Sequence, residues 1–261
     1  MIEEKEILID NLKINCKIAG QGPAILILHG WGGSSDSWLK VQEILAKAGF
    51  KVICPDFPGF GKSKTPLETW GAKEYANFVL NLTKILELQK FFLLGHSFGG
   101  RVAIKFSVLY PEKIKSLILC DSAGIKQKWG LGEKLIFQIS KLGNAIFTPT
   151  PLKRFKDKAK NLFYLFLRHR DYAKADGMMR KILKKVITED LLDDLPQIKT
   201  RTLIIWGESD KLVPVKYVHI FKEKIENSEL KILPKIGHSP HLEVPEKLTE
   251  IIIDFLNLKR N

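Results

Sequence analysis

The residues able to do chemistry fall in a few short clusters. Gly95-His96-Ser97-Phe98-Gly99 follows the apolar run Phe91–Leu94 and opens a helical pattern that begins at Ser97. A serine between glycines at a strand–turn–helix junction is held in a strained backbone conformation, with its hydroxyl presented above the sheet. A hydroxyl is a weak nucleophile and needs an adjacent base that is oriented by a third group. His238, in Gly237-His238-Ser239 beyond the run Glu229–Leu233, is the candidate base. Asp210 closes Gly207-Glu208-Ser209-Asp210, just past the run Thr202–Trp206, and is the candidate acid. Asp121 follows the run Ser116–Cys120 and competes for the acid role, and His241 is a weaker rival for the base. His29 and His96 read as structural neighbours of their motifs, and His169 and His219 as surface helix residues.

A further cluster, His29-Gly30-Trp31-Gly32-Gly33, comes directly after the run Ala24–Leu28. A glycine-rich turn there can aim one backbone N–H at a developing oxyanion, opposite the N–H of the residue after the nucleophile. The amides of Trp31 and Phe98 are the expected pair. The phosphate-cradling alternative lacks its signature, since neither GxGxxG nor GxxxxGK[ST] occurs. No CxxC pair occurs among Cys16, Cys54 and Cys120, which argues against a zinc ribbon or a dithiol redox motif. These thiols read as buried and reduced. No cofactor and no metal are expected.

The elements that must position these residues are legible from the hydrophobic pattern. Ile7–Ile9 and Lys13–Ile18 flank Asp10-Asn11 and predict an opening hairpin. The compact apolar runs Ala24–Leu28, Val52–Cys54, Phe91–Leu94, Ser116–Cys120, Thr202–Trp206 and Glu229–Leu233 suit strands buried on both faces of a parallel sheet. Helical patterns separate most of them, near Ser37–Ala48, Tyr75–Leu86, Ser97–Leu109, Val215–Ile225 and Pro245–Leu258. The expected fold class is α/β, a mostly parallel doubly wound sheet. Between Ser122 and Lys199 only helical periodicity is present, too long for a loop in a compact domain. The segment 125–195 is therefore read as an inserted helical cap on a core formed by residues 1–124 and 196–261.

The chain has 261 residues, 45% of them apolar, enough for a sizeable core. Its formal net charge is +13, and the segment 125–195 holds +8 of that excess. A basic balance suggests acidic partners, yet no zinc-finger, RNP or basic-helix signature appears, so nucleic-acid binding is not expected. On the pattern through Phe155 and Phe166 the apolar stripe and the lysines take different faces. The expectation is an apolar inner wall with a basic outer surface, and weak attraction of that surface to anionic aggregates or membranes. Glu3, Glu4 and Glu6 stand where a signal peptide would carry basic residues, and no apolar run approaches the ~18 residues of a membrane span. The expected location is the cytoplasm. Nothing in the pattern speaks to oligomeric state.

Taken in order, His29–Gly33, Asp56-Phe57-Pro58-Gly59-Phe60-Gly61-Lys62-Ser63, the serine motif, Gly207–Asp210 and Gly237-His238 resemble the α/β-hydrolase superfamily. The resemblance spans residues 1–124 and 198–261 and implies a Ser97–Asp210–His238 catalytic set. It also implies that Asp56–Ser63 shapes a loop without a chemical role. Ser97 stands where haloalkane dehalogenases and epoxide hydrolases carry Asp, which argues against both. Ser239 and His96 depart from the Trp and Asn usual in meta-cleavage carbon–carbon hydrolases. The expected activity is a serine esterase acting on a small to medium, neutral, lipophilic acyl ester. A carbon–carbon hydrolase of the meta-cleavage type is the alternative, and a ligand receptor on the same fold is the reading of a different class. Cofactor-free haloperoxidase and perhydrolase activities share the same triad.

Overall fold

The computed structural model describes residues 1–126 and 177–257. Strands β1 (Ile2–Ile9) and β2 (Leu12–Ala19) form an antiparallel hairpin, with Ile9 opposite Leu12. Asp10 and Asn11 both have positive φ, 48° and 66°. A two-residue turn matched to strand twist requires that geometry, and Asp and Asn tolerate it. Six further strands complete one sheet: β3 (Ala24–Leu28), β4 (Lys51–Pro55), β5 (Phe91–His96), β6 (Ile114–Cys120), β7 (Thr202–Gly207) and β8 (Ser228–Leu233). Their order is β1-β2-β4-β3-β5-β6-β7-β8. β2 meets β4 antiparallel, and every pairing from β4 through β8 is parallel.

Both faces of this sheet are covered. In β3, Leu26 and Leu28 join one buried cluster while Ile25 and Ile27 join another, so the period-2 alternation of the strand divides apolar side chains between two cores. The first core is closed by helices α2 (Ala72–Ile85) and α3 (Phe98–Leu109), together with α4 (Gly177–Thr188) and α5 (Val218–Lys224). The second is closed by α1 (Leu39–Lys47) and α7 (Pro245–Asn257), and the short α6 (Pro240–Glu243) leads into the latter. Burial on both faces describes β3 through β7 and fails at β8. That strand is the sheet edge, with Glu229, Lys231 and Ile232 exposed.

Of the expected cap, residues 127–176 lie outside the described residues. Its C-terminal part is described and lies against the core. Ile182, Leu183 and Val186 of α4 are buried, Lys185 pairs with Glu74 of α2 at 3.1 Å, and Glu189 accepts the Ala72 N–H at 3.0 Å. Arg101 of α3 donates to the Glu189 carbonyl at 2.9 Å. Burial lowers the Arg101 pKa to about 10, with Glu189 and Asp190 acting in the opposite direction.

The junction from β5 into α3 depends on close backbone approach. A Cβ at Gly99 would stand 2.0 Å from the Leu28 carbonyl oxygen and 2.7 Å from that of His29, both main-chain atoms. At Gly100 the clashes are all with Ser122, its hydroxyl at 2.1 Å, Cβ at 2.7 Å and Cα at 3.0 Å; side-chain rotation relieves only the first, but just one main-chain atom is involved. Gly99→Ala should therefore destabilise by about 3 kcal/mol or more and Gly100→Ala by less, read as shifts in urea midpoint. A larger loss for Gly100→Ala would contradict this account of the junction.

Candidate functional site

Ser97 sits between β5 and α3 with φ 52° and ψ −113°, a backbone state that costs a non-glycine residue about 1–3 kcal/mol. Hydrogen bonds hold it there: Ser97 N–H donates to the Cys120 carbonyl at 3.1 Å, and its own carbonyl accepts Ala123 N–H at 3.0 Å and Arg101 N–H at 3.2 Å. The hydroxyl projects from this turn to 2.9 Å from His238 Nε2. The other ring nitrogen, His238 Nδ1, donates to Asp210 Oδ2 at 2.7 Å. Asp210 Oδ1 accepts from the Leu212 and Val213 amides, at 2.7 and 3.0 Å. The Asp210 side chain is fully buried and that of His238 is 14% exposed. The loops that carry the two residues are tied together by Glu208 N–H to Leu233 and Ser209 N–H to Ile236 carbonyls, at 3.0 and 2.8 Å. Ser97, Asp210 and His238 thus lie in one hydrogen-bonded chain, with an Nδ1–H tautomer that leaves Nε2 free to accept the serine proton.

The turn after β3 closes over this chain. Gly33 N–H donates to the Gly30 carbonyl at 3.1 Å. A Cβ at Gly30 would meet His96 Nδ1 at 2.9 Å and Ser97 Cβ at 3.3 Å, so the turn packs directly on the nucleophile candidate. Trp31 lies within that turn. Phe98 is the first residue of α3, where main-chain amides have no intrahelical acceptor. Their rings meet edge to face at 5.3 Å, and Trp31 meets Phe60 at 4.8 Å. His29 anchors the turn from below. Its Nδ1 donates to the Gly30 carbonyl at 2.7 Å and its Nε2 accepts the Phe57 amide at 2.9 Å. Asp56 organises the next loop by accepting the amides of Ser35 and Lys62, at 2.7 and 2.9 Å. Burial raises its pKa, but these amides outweigh burial and the net direction is down.

Asp121 does not contact His238. It lies behind Asp210, fully buried with φ 43°, and accepts the Gly207 amide at 2.8 Å. Asp121, Asp210 and His238 each offer a ligand-type atom within 4.8 Å of the others. The lone pairs of Asp210 are already directed at His238 and two backbone amides, so the group forms a hydrogen-bond relay rather than a convergent cation cage. His241 is buried and stacks on Trp38 at 4.3 Å with 5° between planes. His96 lies 4.6 Å from His241 and donates through Nε2 to the His238 carbonyl at 2.7 Å. The sequence pattern does not single out this His96–His241–Trp38 group; its one signal is the His238–His241 spacing, which puts His241 on α6. His219 is exposed, while His169 lies outside the described residues.

The profile of the alpha/beta hydrolase fold family matches residues 23–245. The chain belongs to the α/β-hydrolase family. Among relatives, a 2-hydroxy-6-oxononadienedioate/2-hydroxy-6-oxononatrienedioate hydrolase of Comamonas testosteroni is 25% identical, covering 95% of this chain and 92% of its own. Monoacylglycerol lipase ABHD6 of Homo sapiens is 28% identical, with coverage of 91% and 76%. An esterase of Exiguobacterium antarcticum has a similar structure, with a TM-score of 0.76 at 24% identity, covering 98% of this chain and 100% of that one. This α/β hydrolase has an eight-stranded, mostly parallel sheet, and its fold is similar to that of the esterase. Among its described residues no helix is long and apolar enough to cross a membrane.

The buried imidazoles make stability depend on pH. Burial lowers His29 to about 4 and His241 to about 3; it also lowers His96 well below the ordinary value, with nearby His241 and His238 acting in the same direction. Each contributes stability that is intact above the unfolded-state pKa, about 6.5, and is lost as pH falls below it. Asp121, raised by burial, acts in the opposite direction, because its folded form holds a proton that the unfolded chain releases above about pH 4. Three imidazoles against one carboxyl leave a net loss of about 3 kcal/mol per pH unit between roughly pH 6 and 4.5. The urea midpoint should fall steeply over that interval. A midpoint that is flat or higher at the acid end would contradict neutral, buried imidazoles.

Proposed function

We propose that this α/β hydrolase is a serine hydrolase that cleaves a small to medium, neutral, lipophilic carboxylic ester through an acyl-enzyme. The reading rests on one observation, the continuous chain from Asp210 through His238 to Ser97 Oγ at 2.7 and 2.9 Å. In the proposed sequence Ser97 Oγ adds to the ester carbonyl as His238 Nε2 takes its proton. The tetrahedral oxyanion accepts hydrogen bonds from the Trp31 and Phe98 amides. Asp210 fixes the imidazole tautomer and stabilises the imidazolium. His238 then protonates the departing alkoxide, leaving the acyl group on Ser97. Water, deprotonated by His238, attacks the acyl carbonyl; collapse returns the proton to Ser97 and frees the acid. No metal or organic cofactor enters the scheme.

Preference for neutral acyl groups is supported by the aromatic group beside Ser97, where Trp31 meets Phe60 and Phe98 edge to face and those two rings lie tilted at 6.1 Å. A second reading, carbon–carbon hydrolysis, is favoured by the Comamonas testosteroni relative, whose coverage is nearly full length. That protein's named substrates are dicarboxylates, which call for cationic partners.

Ser97→Ala and His238→Ala should each lower kcat for a nitrophenyl ester by about 10⁴–10⁶, and the double variant should be little worse than either. Multiplicative losses would show that the two do not act as one unit. Raising salt from about 0.05 to about 0.5 M shortens the Debye length from about 14 to about 4 Å. Over that range kcat/KM for a soluble neutral ester should change less than about twofold, because a neutral substrate gains nothing from attraction to the basic residues. A steep fall, or a strong preference for carboxylate-bearing substrates, would favour the carbon–carbon reading instead.

A further inference from the structure

Behind Asp210 stands a second buried carboxyl that the proposed reaction does not use. Asp121 directly follows β6 in a left-handed conformation, φ 43°, with no measurable exposure. Its Oδ1 accepts the Gly207 amide at 2.8 Å, and its Oδ2 lies 3.5 Å from the Cys120 thiol. A carboxylate oxygen of Asp121 lies within 4.8 Å of one of Asp210. Two ionised carboxylates that close repel one another and neither can donate, so one proton on the buried pair is favoured. Asp210 is the less able of the two to carry it, because two amides and His238 Nδ1–H already donate to its oxygens. The titratable groups facing Asp121 are Cys120 from its own strand, Asp210 from the loop after β7 and His238 from the loop before α6. Among the described residues Asp121 makes no ion pair.

We infer that Asp121 is a positioning residue, a carboxylic acid that keeps its proton at neutral pH and donates it to Asp210. The inference rests on the reading of Asp210 as the partner of His238. The donated hydrogen bond braces the Asp210 carboxylate. It also leaves the site with one negative charge rather than two. Electrostatics agree with the geometry: burial first, then the Asp210 charge, push Asp121 up to about 8. Burial likewise pushes the Cys120 thiol well above its ordinary value.

Infrared spectroscopy of the whole protein tests this directly. At neutral pH the wild type should show the carbonyl stretch of a protonated carboxylic acid. That band should fade as pH is raised past about 8 and be missing from Asp121→Asn. Asparagine keeps the shape, a donor group and tolerance of positive φ. The acid limb of ester hydrolysis, set by protonation of His238, should keep its midpoint in Asp121→Asn within about 0.3 pH unit, since the substitution removes no charge. Were Asp121 ionised, losing its charge less than 5 Å from the imidazole would lower that midpoint by about one unit or more. Absence of the wild-type band at neutral pH, or such a shift, overturns the inference. If Asp121→Asn does not fold, the wild-type band and its titration decide alone. The band needs no turnover, so a protein that shows it yet hydrolyses no ester would refute the hydrolase reading and not this one.

Discussion

The left-handed backbone at Ser97 is the constraint around which the site is organised. A residue with φ 52° and ψ −113° at the end of β5 turns the chain sharply enough for α3 to start at the next residue. That conformation survives only because its surroundings over-determine it. Backbone bonds to Cys120 and Ala123 hold it from β6, and Gly99 lets the first turn of α3 touch the main chain at the end of β3. The same contact brings the Gly30–Gly33 turn onto Ser97. One strained residue therefore fixes the direction of a hydroxyl, the start of a helix and the approach of the turn that carries Trp31.

Around this point the protein buries several imidazoles and carboxyls in a small volume. Charge there would be costly, and the arrangement keeps most of these groups neutral. His29 and His96 spend their ring N–H groups on backbone carbonyls, and His241 lies flat on Trp38. The proton proposed on Asp121 belongs to the same pattern, in which the Asp210–His238 pair is left as the place where charge can separate. Stability at low pH is given up in consequence, since these imidazoles are held neutral through a range in which free histidine would accept a proton.

Much of this is legible in the sequence, because the determining signals are local. Asp10-Asn11 between two alternating runs specifies a tight hairpin, and Gly95–Gly99 between an apolar run and a helical pattern specifies the elbow. Other features depend on what comes together in space. Asp121 and Asp210 both follow parallel strands, and composition alone does not separate them; the Leu212 and Val213 amides and His238 Nδ1 single out Asp210. The run Glu229–Leu233 resembles an interior strand in composition, but among the described residues no strand lies beyond it, and Glu229, Lys231 and Ile232 are exposed. The stacking of His241 on Trp38 joins α6 to the turn before α1, a tertiary event without a sequence period.

The claim on which the rest turns is that the strained serine, and no other residue, is the nucleophile activated by His238. Intact-mass and peptide mapping after brief exposure to a fluorophosphonate measures this most directly. The account predicts one adduct per chain, on Ser97, forming rapidly in the wild type and negligibly in His238→Ala. An adduct on another residue, or equal labelling without the imidazole, would contradict it.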